Sequence, residues 1–137
     1  VYMAGDSGGA CLITYANAIQ NSTNIARAAN VTPSGLRINA LGLISGMFYT
    51  SRFDKIGLFL PKYLYGRDYK KTSFAKYVNP ENRELLNSLA PVWLVTSHND
   101  FLRRYTTDFE YKGIQYQIKG KLKREELDEI IKNLFFM

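Results

Sequence analysis

The sequence contains one cysteine, Cys11, and one histidine, His98, among 137 residues. A lone cysteine excludes an intramolecular disulfide framework and a multi-cysteine zinc site. A lone imidazole leaves a single candidate wherever chemistry needs a histidine. No apolar run approaches the roughly 20 residues of a membrane-spanning helix. Charge is nearly missing from the first fifty residues, which carry only Asp6, Arg27 and Arg37. What remains is ordinary for a globular chain, 46% apolar and 22% charged, and excludes intrinsic disorder. The length suits one domain with one modest core. Its first residue is Val1, not methionine, and the residues after it already look like a buried strand, so the chain is expected to be part of something larger.

The net charge is +6, and most of the excess sits in one stretch. Arg52, Lys55, Lys62, Arg67, Lys70, Lys71, Lys76 and Arg83 are interleaved there with only Asp54, Asp68 and Glu81. The contrast with the uncharged N-terminal part suggests a buried scaffold carrying a solvated insertion. No RNP-like, zinc-finger or helix-turn-helix signature accompanies the basic stretch, so nucleic acid is not expected as a partner. Contact with an acidic membrane surface is compatible with the charge but ranks below plain solvation.

Periodicity organises the chain into alternating elements. Val1 to Ala4 is a short apolar run ending at Gly5, expected as a fully buried strand. From Gly8 the pattern becomes helical, with Cys11, Tyr15, Ala18 and Ile19 on one face, and Gln20 to Asn24 ends or interrupts that helix. Ile38 to Ser45 is a second candidate strand. Ile56, Leu58, Phe59, Leu60, Tyr63, Leu64 and Tyr65 form an apolar-aromatic cluster broken by Pro61. Val92 to Thr96 has strong β propensity. A helix is expected over 101–112, a strand over 114–118, and an amphipathic helix through Leu127, Ile130, Ile131, Leu134 and Phe135. Strands alternating with helices, and read as continuous apolar runs, imply an α/β fold with a mostly parallel sheet covered by helices on both faces.

Gly5-Asp6-Ser7-Gly8-Gly9 satisfies G-x-S-x-G, with a strand before it and a helix after it. A serine hydroxyl becomes a nucleophile when a base takes its proton and a tight turn holds it clear of the sheet. The amide of Gly8 would then lie at a helix N-terminus, where the dipole favours an oxyanion. The structural alternative is a glycine-rich turn with an incidental serine. Asp100, just beyond the third strand, is a candidate for the carboxylate that orients a catalytic imidazole, because open α/β sheets place their sites at the C-terminal ends of the strands. It can equally cap the helix that follows. Cys11 is expected to be a small core residue, and Trp93 and the tyrosines to serve as packing and pocket walls.

The letters around Ser7 also resemble the GDSGGP of chymotrypsin-like proteases. Here Ala10 stands in place of the proline and a helical period follows, so that resemblance is set aside. Gly5-Asp6-Ser7-Gly8-Gly9 together with Asp100-Phe101-Leu102-Arg103 resembles instead the hormone-sensitive-lipase-like esterases of the α/β-hydrolase superfamily, which carry GDSAGG and a later D-x-L-R-like segment. The order of serine before aspartate fits, and the resemblance covers most of residues 1–119. It implies a single partial α/β-hydrolase domain over 1–137, running from the nucleophile strand to the C-terminal edge, with a lid-like insertion at about 50–80 that shapes the acyl or alcohol pocket. It also implies catalytic roles for Ser7 and Asp100 and an oxyanion-donating backbone N–H at Gly8.

The family's upstream HGGG loop is not in this chain. Its catalytic histidine follows the last strand, where this sequence has Lys119-Gly120-Lys121-Leu122-Lys123 and a charged segment without histidine. His98 is expected to be a loop residue. The resulting expectation is a serine carboxylic ester hydrolase acting on a small-molecule ester, with no cofactor or metal, incomplete and nearly inactive in this stretch alone. The alternative is a non-catalytic hydrolase-fold binding or interaction protein that lacks the triad histidine. One unpaired cysteine is compatible with a reducing compartment such as the cytoplasm.

Overall fold

The computed structural model describes residues 1–111, 116–119, 129 and 132. Four parallel strands, β1 (Tyr2–Asp6), β2 (Ala40–Ile44), β3 (Val92–Ser97) and β4 (Tyr116–Lys119), form one sheet in the order β1-β2-β3-β4. The register pairs Asp6 with Ile44, Ile44 with Val95, and Ser97 with Lys119. All four strands therefore end on the same edge. Between β1 and β2 lie α1 (Gly8–Asn21) and α2 (Thr23–Ala28). The long connection from β2 to β3 carries α3 (Lys55–Phe59), α4 (Pro61–Tyr65), two 3-10 turns (Tyr69–Lys71 and Ser73–Tyr77) and α5 (Arg83–Ser88). Helix α6 (Arg103–Tyr111) joins β3 to β4. This is an α/β-hydrolase-like arrangement, with helices flanking a parallel sheet.

Burial follows strand position. Leu41 to Ile44 and Leu94 to Thr96 are buried without a break, so both faces of the inner strands are covered. The expectation of a fully buried first strand is corrected. Val1 and Tyr2 are exposed and Met3 to Gly5 only half-buried, because β1 is the outer strand on its side of the described sheet. The main core joins Leu41, Leu43 and Leu94 to Ala10 of α1, Phe48 and Tyr49, and Leu102, Tyr105 and Phe109 at α6. A second cluster, Ala18, Ile25, Tyr77 and Leu85, seats the β2–β3 connection on α1 and α2. Tyr15 locks it there by donating its hydroxyl to the carbonyls of Tyr77 and Val78 at 2.6 and 2.5 Å.

Element ends shift for local reasons. The polar cluster after Ile19 does interrupt the helix, and a second one starts at once, since the Ser22 hydroxyl accepts the Ile25 N–H and caps α2. The second strand stops at Ile44 because Ser45, whose N–H still donates to the Val95 carbonyl, turns the chain away with φ 45°. Helix α6 starts at Arg103 rather than Phe101, after a turn held by Asp100. Of the expected C-terminal helix, only Glu129 and Lys132 lie among the described residues, both helical and exposed; the apolar positions of its pattern lie outside them.

Candidate functional site

Ser7 occupies the joint between β1 and α1, with φ 50° and ψ −119°. A non-glycine residue with φ in the left-handed range is uncommon, and such strain of about 1–3 kcal/mol persists only where the surroundings enforce it. Two main-chain hydrogen bonds do so. The Ser7 N–H donates to the Ile44 carbonyl and the Met47 N–H donates to the Ser7 carbonyl, each at 3.0 Å. Both partners belong to β2 and the segment after it, so the bend is pinned by the neighbouring strand.

The glycines beside the serine make the bend compact. A Cβ at Gly5 would lie 2.7–2.9 Å from the carbonyl carbon and oxygen of Gly9 and the nitrogen of Ala10. Strand and helix thus meet backbone to backbone, which only glycine allows. Ser7 stands at the N-cap of α1, yet its side chain makes no capping hydrogen bond, and the residue is exposed. Serine at that position usually spends its oxygen on the helix amides. Here the hydroxyl is free for other chemistry, and the N–H of Gly8 belongs to the unpaired first turn of a 14-residue helix.

Asp100 follows β3 by three residues on the same sheet edge. Its Oδ2 accepts the Thr96 hydroxyl at 2.7 Å and its Oδ1 accepts the Leu102 N–H at 2.8 Å. The carboxylate does hold the turn before α6, as the capping alternative expected, and both oxygens keep further acceptor capacity. One strand separates β1 from β3, so the two strand ends lie about 10 Å apart at ordinary strand spacing. The fold thus brings Ser7, Gly8 and Asp100 to one rim. His98 is exposed and sits two residues before Asp100 in the same turn, at the end of the same strand.

Cys11, one helical turn after Ser7, is buried, and burial pushes its thiol up to about 11, with a smaller opposing effect from Tyr65. It is a protonated core residue at neutral pH.

Beside Asp100 opens a largely apolar cleft of about 280 Å³ lined by Asp54, Lys55, Ile56, Phe101, Leu102 and Tyr105. Burial opposes ionisation of Asp54, yet the Tyr105 hydroxyl, the amides of Gly57 and Ile56 and the Arg52 guanidinium outweigh it and hold the carboxyl below its usual range. Burial, and then the Asp54 carboxylate, raise the Tyr105 phenol. Arg52 stacks 3.5 Å above the ring of Tyr49 and pairs with Asp108. A larger opening of about 660 Å³, around Arg37, Asn39 and Pro91, lies at the opposite end of the strands and is remote from the rim.

Sequence reasoning missed Thr96 and the cleft. Thr96, four residues before Asp100 and inside a strand, carries no motif. The cleft joins two segments far apart in the chain, and only packing reveals it.

These features define an open α/β sheet with a strained serine turn at its C-terminal edge. Two solved structures that it resembles are of one enzyme. The crystal structure of esterase B from Lactobacillus Rhamnosis (HN001) superposes with a TM-score of 0.73 at 16% identity, covering 99% of this chain and 51% of that one. A structure of the same esterase with a C4-C4 SN3 tributyrin phosphonate superposes equally well, with a TM-score of 0.73 at 16% identity over 99% and 52% of the two chains. At that identity the likeness shows the fold, and the chain spans about half the length of those structures. No protein-family model and no curated protein matches the sequence.

Proposed function

We propose that this chain is the nucleophile-bearing part of a serine ester hydrolase. The observation that carries the reading is the Ser7 bend, a strained residue with an uncommitted hydroxyl at a strand–helix joint, on the rim that also holds Asp100. The likeness to an esterase fold supports it. In the reaction, the Ser7 Oγ attacks an ester carbonyl while an imidazole takes its proton. The Gly8 N–H donates to the tetrahedral oxyanion, and Asp100 orients and balances the imidazolium. Collapse expels the alcohol, which takes the proton from the imidazole, and water then releases the acid by the same route. The cleft between Ile56 and Phe101 suits a short acyl or alcohol group, and the stretch at about 50–80, read as a lid-like insertion, supplies one of its walls. The chemistry needs no metal or cofactor.

His98, the one histidine of these 137 residues, is not expected to be the relay imidazole, so the proposed triad lacks its base here. Losing that base costs on the order of a millionfold in kcat in a serine hydrolase, so this stretch by itself is expected to be nearly inactive. The test is labelling of the protein in its native length with a fluorophosphonate. Ser7 is expected to be modified, the label to vanish in Ser7→Ala, and His98→Ala to label as the wild type does. A second reading rests on the single, exposed histidine: a hydrolase-fold binding protein that keeps the serine without the base. Absence of labelling in the folded full-length protein would favour it.

A further inference from the structure

The apolar-aromatic cluster of the basic stretch is turned outward. Helix α3 has no buried residue, and α4 buries only Pro61. Phe53 is 97% exposed, Tyr63 89% and Phe59 69%, and Leu58 and Leu64 join them at the surface. The inner side of the pair is anchored by half-buried Ile56 and Tyr65. The Tyr65 hydroxyl is bonded to Thr50 at 2.8 Å, and its ring packs edge-on against Tyr15. Large apolar side chains on a folded, anchored element are costly to leave in water, and contiguous patches of them mark interaction sites.

Charge narrows the occupant. Lys55, Lys62, Arg67, Lys70 and Lys71 are exposed on the same segment. Of its acids, Asp68 is paired with Lys71 at 2.9 Å. Asp54 is turned inward to Tyr105 and the Gly57 N–H. A second copy of this chain, docked patch to patch across a two-fold axis, would set those cations against one another. Nucleic acid would use the cations but leave Leu58, Phe59 and Leu64 without partners. An anionic bilayer satisfies both, taking the aromatic and aliphatic side chains into the headgroup–acyl boundary while its surface potential attracts the lysines.

We propose that the outward face of α3 and α4 is a docking surface for an anionic lipid bilayer. The first turn of α3 also lines the cleft beside Phe101, so a docked bilayer lies on the side of the molecule that carries Asp100. The proposal stands on exposure and charge and does not require Ser7 to react.

The test is co-sedimentation of the protein in its native length with vesicles of phosphatidylcholine mixed with phosphatidylglycerol, compared with pure phosphatidylcholine, at low and high salt. Binding is expected to require the anionic lipid and to weaken as salt rises. Lys55→Gln combined with Lys62→Gln is expected to weaken it roughly thirtyfold, at about 1 kcal/mol per cation near the surface. Phe59→Ser combined with Tyr63→Ser is expected to weaken it at least as much, and Lys62→Arg to bind like the wild type. Circular dichroism identifies variants that have stayed folded. Equal binding to neutral vesicles, binding indifferent to both double substitutions, or no binding by the folded protein overturns the proposal. So does a concentration-dependent dimer abolished by Phe59→Ser without any lipid binding. Fluorophosphonate labelling of Ser7 is read on the same samples, so loss of one result does not remove the other.

Discussion

Ser7 carries conflicting demands that its neighbours reconcile. Its φ of 50° suits glycine, and its side chain leaves the helix amides uncapped. A residue kept strained and uncommitted is what a nucleophile position requires, and stability alone would not select it. Ser7→Gly is therefore expected to stabilise the fold by about 1 kcal/mol, whereas Ser7→Ala keeps the strain and gives no such gain. Urea denaturation of the two variants decides this, and equal midpoints would count against a strained bend. Asp100 shows the opposite economy. One carboxylate holds the Thr96 hydroxyl and the Leu102 amide and still faces the rim, so the capping and the proposed catalytic roles are compatible in a single residue.

At the scale of elements, the decisive contact is the approach of β1 to α1. Gly5 faces main-chain atoms of Gly9 and Ala10, which cannot swing aside as a side chain would. Gly5→Ala is expected to destabilise by about 1–3 kcal/mol and, by pushing α1 away, to slow fluorophosphonate labelling of Ser7. Unchanged stability together with an unchanged labelling rate would show that the joint tolerates the displacement. The α1–α2 break is a comparable local device. Ser22 caps α2 while its hydroxyl donates to Glu84, which also receives Asn24 and Tyr77. Those three donors, Tyr77 first, draw the Glu84 carboxyl below its usual range and tie α5 to the helices after β1.

Across the whole molecule, the β2–β3 connection is joined to α6 by Tyr105–Asp54 and Arg52–Asp108. Because the Asp54 carboxyl is held below its usual range in the fold, it contributes stability above the ordinary carboxylate value of about 3.9. That contribution is lost as pH falls below this value and through the lower folded one. Asp54→Asn is expected to lower the urea midpoint near neutrality and to flatten its decline on acidification. Parallel curves for wild type and variant would remove Asp54 from the acid response.

The alternation of apolar strands with helical periods determined the parallel α/β fold, and G-x-S-x-G between a strand and a helix determined where the bend falls. Both are short-range patterns, legible because main-chain hydrogen bonding and side-chain periodicity act over a few residues. The turn that delays α6 and the Thr96–Asp100 bond are also local, but they carry no motif; the exposure of β1, the cleft beside Phe101 and the outward face of α3 and α4 were settled only by packing. Each of these three depends on which segments, distant in the chain, come to lie side by side. Burial is a property of the assembled molecule, so the same run of leucine, phenylalanine and tyrosine can form a core or a surface, and only the tertiary structure chooses between them.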